Sequence, residues 1–358
     1  MKKTLPQIRK DIDAIDLKLI HLLARRNRLS RQVGEIKRAS GKAVFAPERE
    51  EALLKRLEGE GGNDLSSKAI RAIFREILSA SRFQQKQLHI AYLGPEATHC
   101  HQAALQRFGS SDSFKPCQTI PEIFQLIEHQ EADAGVVPIE NSLEGGVSAA
   151  MDALTHSDLV ICGEIYQDIA HALMASRKTK QIEKIYSHPQ AFGQCRQWLY
   201  RHFPGIPCIE VSSTSEGALR CKSETGAGAV AGEFAADFHH LKIWHRRIQD
   251  VEKNMTRFLM IGREMPEPSG QDKTSLLFAV SHQVGALNRI LELFARHELN
   301  LNKIESRPVP HKPWEYVFFV DVHGHSKQNP LKSALREIKQ NTLWLKVLGS
   351  YPRVQIND

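Results

Sequence analysis

Ile8, Ile12, Ile15, Leu19, Leu22, Leu29, Val33 and Ile36 recur at three- and four-residue steps through the first forty residues. That is the period of one face of an α-helix, and a helix of roughly 30 residues is ~45 Å long at 1.5 Å rise per residue. Residues 5–88 are too few to bury a stripe of that length, so a second copy of the chain is its natural cover and a homodimer or higher homo-oligomer is expected. Gly34 and Gly41 weaken this helix without ending it before about residue 40. A second helix is expected after Pro47, because proline suits a first helical turn, and it ends before Gly61-Gly62-Asn63-Asp64. A third starts near Ser66 and Ser67, carries Ile70, Phe74 and Ile77, and places Ser81 and Gln85 on the same face. One position of the long stripe is wrong for a core: Arg26 stands where an apolar residue belongs. A buried charge without a partner is costly, so Arg26 needs a counter-anion, either an internal acid or a ligand.

The rhythm changes after residue 88. His89–Leu93, Ala134–Pro138, Ile182–Ser187 and Ala227–Ala231 are short apolar strands, with helical stretches at 101–108, 120–129 and 190–201 between them. This alternation predicts an α/β unit over 89–265 with a mainly parallel sheet, and its length suggests two lobes around a cleft. The stretch Gly226-Ala-Gly-Ala-Val-Ala-Gly232 has neither a Walker loop's lysine nor dinucleotide spacing, and is expected to serve close strand–helix packing. A Pro/Gly/polar linker over 264–273 leads into strand, helix, strand, strand, helix and strand over 274–358, the ferredoxin-like plan. The fold expected is therefore multidomain: all-α over 1–88, two-lobed α/β over 89–265, and α+β over 274–358.

Charge is unevenly placed. Residues 1–88 hold 20 Lys/Arg and 11 Asp/Glu, a net +9 against +7 for the whole chain, so the remainder is near −2. A basic helical segment suits nucleic acid or small polyanions alike. No apolar run is long enough to span a membrane. The six cysteines are scattered with no C-x-x-C, and no histidine motif of the H-E-x-x-H kind occurs. They read as reduced thiols of a cytoplasmic protein, with no metal.

Four blocks in 89–265 carry chemistry: Tyr92-Leu-Gly-Pro-Glu-Ala-Thr98, Val137-Pro-Ile-Glu-Asn-Ser-Leu-Glu-Gly-Gly-Val147, Tyr186-Ser-His-Pro-Gln-Ala191 running on to Gln194-Cys195, and Asn254-Met-Thr-Arg-Phe258. In the last, a hydroxyl and a guanidinium stand side by side at the start of a strand. That combination suits an anionic substrate whose departing group needs a hydrogen-bond donor. These blocks, in this order, resemble the prephenate dehydratase family. The resemblance implies Thr256 as donor to the leaving ring hydroxyl, Arg257 as a carboxylate or structural anchor, and Thr98, Asn141, Ser142, His171, Ser187 and Gln194 as polar walls. The family usually has Gly-Thr-Phe-Ser where this chain has Ala97-Thr98-His99-Cys100. Alanine restricts the backbone if that position needs φ > 0, so altered substrate affinity is expected.

The helical segment resembles the all-helical chorismate mutase domain over essentially all of 5–88. Position by position, Arg9, Arg26, Lys37, Arg49, Glu50, Ser81 and Gln85 fall on that family's binding residues. Arg9, Arg26 and Arg49 would bind carboxylates, Arg9 reaching in from a partner chain, while Lys37 and Gln85 face the ether oxygen. Ala46 stands where the family often has Asp, which removes one substrate-hydroxyl contact. The rearrangement is pericyclic and needs no cofactor, only a held conformer and charge stabilisation.

The tail resembles an ACT domain, with Gly285-Ala286-Leu287 at a helix start, Glu305-Ser306-Arg307-Pro308 after the second strand, and Trp314-Glu-Tyr-Val-Phe-Phe-Val320. These blocks imply L-phenylalanine as effector, its carboxylate at the helix N-terminus. The three resemblances together imply a feedback-controlled bifunctional enzyme acting on chorismate and prephenate, with neither nucleic acid nor membrane as partner. Two other classes compete: a non-catalytic amino-acid sensor with a degenerate dehydratase domain, for which the altered 97–100 loop leaves room, and a basic nucleic-acid binder, which explains the +9 but not Glu50, Ser81 or Gln85.

Overall fold

The computed structural model describes residues 3–41, 44–62, 64–308 and 316–354. The chain divides into two compact units, residues 1–88 with 108–113, and residues 89–107 with 114–358.

The first unit is built on three helices, α1 (Leu5–Ala39), α2 (Pro47–Glu60) and α3 (Ser67–Phe83). Thr4 and Gln7 close a capping box at the start of α1, and the Ser66 hydroxyl accepts from Ala69 N to cap α3. The α1 stripe is bare within one chain: Ile8, Ile12, Ile15, Leu19, Leu22, Leu29, Val33 and Ile36 are all exposed. Gly34 is the only buried residue of α1, because Gln85, just past the end of α3, packs where its Cβ would stand.

The second unit opens with β1 (His89–Leu93), α4 (His99–Phe108), β2 (Ser113–Cys117), α5 (Ile120–Glu128), β3 (Ala134–Asn141), β4 (Gly145–Gly146), α6 (Ser148–His156) and β5 (Val160–Asp168). The second lobe follows as β6 (His171–Ala175), β7 (Lys184–Ser187), α7 (Pro189–Gln194), α8 (Arg196–His202), β8 (Cys208–Glu210), α9 (Thr214–Ser223), β9 (Ala227–Gly232), α10 (Glu233–His239) and β10 (Lys242–His245), and the chain returns to the first lobe as β11 (Met255–Gly262). The sheets run β2-β1-β3-β11-β5 and β10-β6-β9-β7-β8. The expected two lobes are present, but the expected mainly parallel sheet is not. β11 is antiparallel to both β3 and β5, and β6 is antiparallel to β9 and β10. The parallel pattern belongs to the β-α-β crossovers. The strands that join the lobes return directly and therefore pair antiparallel. The stretch expected to be one helix over 190–201 is two, with Cys195 ending α7 and preceding α8.

The tail forms β12 (Asp272–Ala279), α11 (Ala286–Arg296), β13 (Leu301–Pro308), β14 (Tyr316–His323), α12 (Leu331–Asn341) and β15 (Trp344–Pro352), in sheet order β13-β14-β12-β15. This is the ferredoxin-like plan. Trp314 and Glu315 of the aromatic block lie outside the described residues. Leu276 and Phe278 of β12 face a core shared with Ile290, Phe294, Leu331 and Ile338 of the two helices. The alternate residue Leu277, with Phe319, Leu348 and Tyr351, enters the core of the first lobe of the α/β domain beside Val137, Ile139, Leu259 and Ile261. Both faces of this sheet are thus covered, which is why β12 is buried throughout and its second half, Leu276–Ala279, is apolar without alternation.

A polar cluster crosses the same contact. The buried Arg257 donates through Nε to Glu164 (3.0 Å), through Nη1 to Asp321 (2.5 Å) and through Nη2 to the Tyr351 hydroxyl (2.9 Å). Lys273 donates to both oxygens of Glu164 (3.0 and 2.8 Å), and Ser275 Oγ donates to Asp321 (2.5 Å). Two cations meet two carboxylates, so the buried charge is balanced. Burial works against the Arg257 charge, yet Tyr351, Asp321 and Glu164 outweigh it and hold its pKa well above the ordinary arginine value. Removing one partner of such a buried pair costs about 3–5 kcal/mol. We therefore expect Arg257→Ala to destabilise the second unit by about that amount in urea unfolding. A loss below about 1 kcal/mol, the range of exposed pairs, would show the cluster to be dispensable.

Candidate functional site

Residues opposite one another on neighbouring strands share a face, and successive residues face opposite ways. Asn141 of β3, Thr256 of β11 and Gln167 of β5 are register partners. They make one row across three strands, at the end of the sheet where the chain crosses to the second lobe. Glu140, Arg257 and Tyr166 make the next row, on the face turned to the tail. The adjacent hydroxyl and guanidinium therefore serve different surfaces. Thr256 belongs to the polar row, and Arg257 is committed to the buried cluster above. Of the two roles expected for Arg257, its contacts are those of the structural anchor.

The polarity of the row follows from its ends. Asn141 Oδ1 accepts the backbone N–H groups of Leu143 (3.0 Å) and Glu144 (3.3 Å). Its amide nitrogen must then face away, and it donates to Thr256 Oγ1 (2.9 Å) and Asn254 Oδ1 (2.8 Å). Asn254 Nδ2 donates to Gln194 Oε1 (3.0 Å), and Gln194 Nε2 donates to the Glu144 carboxylate (3.1 Å). The same Gln194 oxygen faces His171 Nε2 at 2.8 Å, which makes Nε2 the protonated nitrogen and Nδ1 the acceptor. Both ends of the chain, backbone amides and a carboxylate, impose the same direction. Because Thr256 Oγ1 is already an acceptor, its own proton is available to a ligand.

Other residues expected at the site act around it. Ser142 Oγ accepts from Met255 N (2.9 Å) and clamps the start of β11. Thr98 donates to Pro95 O (3.0 Å) and accepts from His101 N (3.3 Å), holding the entry of α4. Ser187 is fully buried and donates to Val230 O (2.6 Å). Ala97 has φ +63°, so the position where the family has glycine does require the left-handed region, and alanine is strained there. Asn254, Glu144, Gln167, Gln102 and His99 were not among the expected site residues. Gln167 Nε2 donates to Gln102 Oε1 (2.5 Å) and lies 3.4 Å from His99 Nδ1. Register across β3, β11 and β5 would have found Gln167; Asn254 and Glu144 stand inside the blocks already quoted, and Gln102 and His99 of α4 meet the row only through the tertiary fold.

In the first unit, Arg26 is half-buried and donates to the Ser81 hydroxyl and to Ile77 O (3.5 Å). Burial lowers its pKa and the charge of Glu50 opposes that. Among the described residues no carboxylate lies within ion-pair distance of Arg26. Lys37 donates to Val44 O (2.9 Å). Glu50 is buried and paired with Arg82 (2.5 Å). Gln85 Nε2 donates to Ser30 Oγ (2.9 Å), and its buried Oε1 has no partner among the described residues. Donation to an ether oxygen needs this amide turned end for end. Arg26, Ser81 and Gln85 thus gather between α1 and α3. Arg9 is exposed seventeen positions before Arg26 on α1, about 25 Å along the axis, so within one chain it does not join them. Arg49 is exposed.

In the tail, Gly285 caps α11 at φ +76°, with Ala286 buried and Leu287 packed on the tail's core. Glu305 pairs with Lys303 (3.0 Å) and lies against Gly146. Arg307 donates to Ser148 O (2.8 Å) and Asp152 (2.9 Å). Ser306 and Pro308 are exposed on the other face of β13.

Family models for chorismate mutase type II, prephenate dehydratase and the ACT domain match residues 8–86, 90–266 and 274–340. The bifunctional chorismate mutase/prephenate dehydratase of Aquifex aeolicus (strain VF5) is 44% identical over 359 residues, 99% of either chain. Among solved structures, prephenate dehydratase from Arthrobacter aurescens in complex with L-Phe is 32% identical, covering 74% of this chain and 90% of that one at a TM-score of 0.68. GqqA, described as a novel type of quorum quenching acylase, is 28% identical over 74% of this chain and 98% of that one, also at 0.68. A helical mutase domain, a two-lobed dehydratase domain and an ACT domain in succession define an isomerase and a lyase joined in one regulated chain. The chain belongs to the family of bifunctional chorismate mutase/prephenate dehydratases. It rearranges chorismate to prephenate and converts prephenate to phenylpyruvate in phenylalanine biosynthesis. Among the described residues no helix is long and apolar enough to cross a membrane.

Burial, reinforced by His171, pushes the His99 pKa down to about 3, and burial also lowers that of His171. Below an ordinary histidine pKa of about 6.5 the unfolded chain takes up a proton that folded His99 refuses, so stability falls as pH drops. At one proton, or about 1.4 kcal/mol per pH unit, His99→Phe should lose about 2 kcal/mol less than the parent between pH 7.5 and 5.0. Urea unfolding at the two pH values measures this, and equal losses would contradict the assignment.

Proposed function

We propose that Thr256 donates its hydroxyl proton in a hydrogen bond to the ring hydroxyl of prephenate as that group leaves, and that Asn141, Asn254, Gln194 and Glu144 hold it in that role. The observation that carries this is the direction of the amide chain, which fills the acceptor side of Thr256 and leaves the donor side open. In the reaction the ring C–O bond breaks together with the bond to the ring carboxylate. The electron pair of the latter enters the ring, CO2 departs, and the hydroxide is protonated to water. Gain of aromaticity drives the step, so the site's contribution is a donor for the departing oxygen. A threonine hydroxyl is too weakly acidic to transfer a proton outright. Solvent reaching the chain supplies it.

In the mutase domain, Arg26 and Arg49 bind the substrate carboxylates, with Arg9 entering from a second chain. Lys37 and Gln85 face the ether oxygen, and Glu50 and Ser81 complete the wall. The exposed apolar stripe of α1 and the distance of Arg9 from Arg26 support a dimer formed along α1. The six scattered cysteines, five of them buried, suit a reducing cytoplasm. L-Phenylalanine inhibits by binding at Gly285–Leu287 and Glu305–Pro308. Glu305 and Arg307 already touch the segment from Gly146 to Asp152, which begins five residues after Asn141, so an effector that recruits them reaches the dehydratase site through that segment.

The two activities should separate by mutation. Lys37→Ala should lower chorismate turnover at least 100-fold while sparing dehydration of added prephenate, and Thr256→Ala should do the reverse, each loss being typical of a removed transition-state donor. Wild-type rates in either variant on its own substrate would refute the corresponding role. On the same protein, calorimetry with phenylalanine and the mass in solution of Leu19→Asp test the effector and the dimer. No heat of binding, or an unchanged assembly, would refute them.

A further inference from the structure

Three buried polar atoms at the dehydratase site have no partner among the described residues: His99 Nε2, His171 Nδ1 and Gln167 Oε1. Their polarities differ. Gln167 Nε2 donates toward His99 Nδ1, so that nitrogen accepts and the ring proton sits on Nε2, a donor. His171 Nδ1 is an acceptor, since Nε2 carries the proton given to Gln194. Gln167 Oε1 is an acceptor by nature. The two imidazoles stand edge to face with centroids 6.0 Å apart. An oxygen held by two hydrogen bonds of about 2.8 Å spans up to ~5.6 Å between nitrogens, which rings at this separation can provide. The His99 ring is held from behind. A Cβ on Gly232 would stand 2.7 Å from its Cε1, and Gly232 is the register partner of His171 across β6 and β9. The second lobe thus fixes both rings with one strand pair.

We propose that His99 is a specificity-determining contact for the ring hydroxyl of the dehydratase substrate, donating through Nε2–H to an oxygen whose own proton is accepted by His171 Nδ1. The inference rests on the dehydratase reading of this site and adds to it a residue that the related family usually fills with phenylalanine. One donor beside two acceptors matches a hydroxyl, which both accepts and donates. A carboxylate would satisfy only the donor and face the other two lone pairs. Burial keeps both rings neutral near neutral pH, as that pairing needs.

The test compares a ligand with the hydroxyl and one without it. Prephenate carries the ring hydroxyl and phenylpyruvate does not. In the full-length protein, His99→Phe keeps an aromatic ring and removes the donor, and His99→Gln restores an N–H near the Nε2 position. His99→Phe should lower kcat/KM for prephenate about tenfold, the scale of one neutral hydrogen bond, with phenylpyruvate inhibiting as in the parent. His99→Gln should recover most of the loss. Chorismate turnover checks that the chain is folded. An unchanged kcat/KM, or equal weakening toward both ligands, would overturn the role of His99 while leaving the dehydratase reading intact. A parent protein that forms no phenylpyruvate from prephenate would sink that reading instead, and this inference with it.

Discussion

Two backbone N–H groups, those of Leu143 and Glu144, determine which way the side chain of Asn141 points, and the role proposed for Thr256 depends on that choice. An amide in isolation can face either way at equal cost. Held at its oxygen, Asn141 must donate, and the same direction passes through Asn254 and Gln194 to Glu144, with His171 donating into Gln194, while Thr256 receives a bond it would otherwise have had to give. A fixed dipole of this kind is formed before substrate arrives, so no reorganisation is required at the moment the C–O bond breaks. The turn after β3 is therefore as much a part of the site as the side chains that touch the substrate.

The alternation of β11 divides its labour. Thr256 joins the polar row with Asn141 and Gln167, and Arg257, one residue on, looks into the contact with the ACT domain, where it meets Glu164, Asp321 and Tyr351. A displacement of the regulatory sheet would act on the neighbour of the donor through a buried, charge-balanced cluster. Glu305 and Arg307 reach the chain just beyond the Leu143–Glu144 turn. One route ends beside Thr256 and the other beside the Leu143–Glu144 turn that orients Asn141.

The domain order, the three mutase helices and the ferredoxin-like tail were legible because helical period, proline and glycine positions, and strand length are local properties. The exposed stripe of α1 was legible as well. Asn141, Gln194 and Thr256 stood in recognisable blocks. Gln167 and Gln102 did not emerge as part of a site because they meet the row only through strand register and the packing of α4, and Glu144 and Asn254, though inside the quoted blocks, show their roles only through contacts with residues distant in the chain. The mixed sheets were missed for a related reason, since strand direction is set by which lobe the chain is returning from. Arg257 shows the limit most plainly: adjacency in sequence suggested a joint role with Thr256, whereas the pleat of a strand sends neighbours apart. The left-handed backbone at Ala97, by contrast, was anticipated from a glycine missing where the family has one.

The most direct test of the account is Asn141→Asp, which changes the side chain by one atom and hardly alters its shape. The carboxylate cannot donate, so Thr256 would turn its proton toward residue 141 and away from the substrate. Steady-state kinetics of the full-length protein with prephenate should show kcat reduced about 100-fold or more, in the range of a lost catalytic hydrogen-bond donor, with chorismate turnover retained. A kcat within a few-fold of the parent would contradict the claim that the direction of the amide chain is what prepares Thr256.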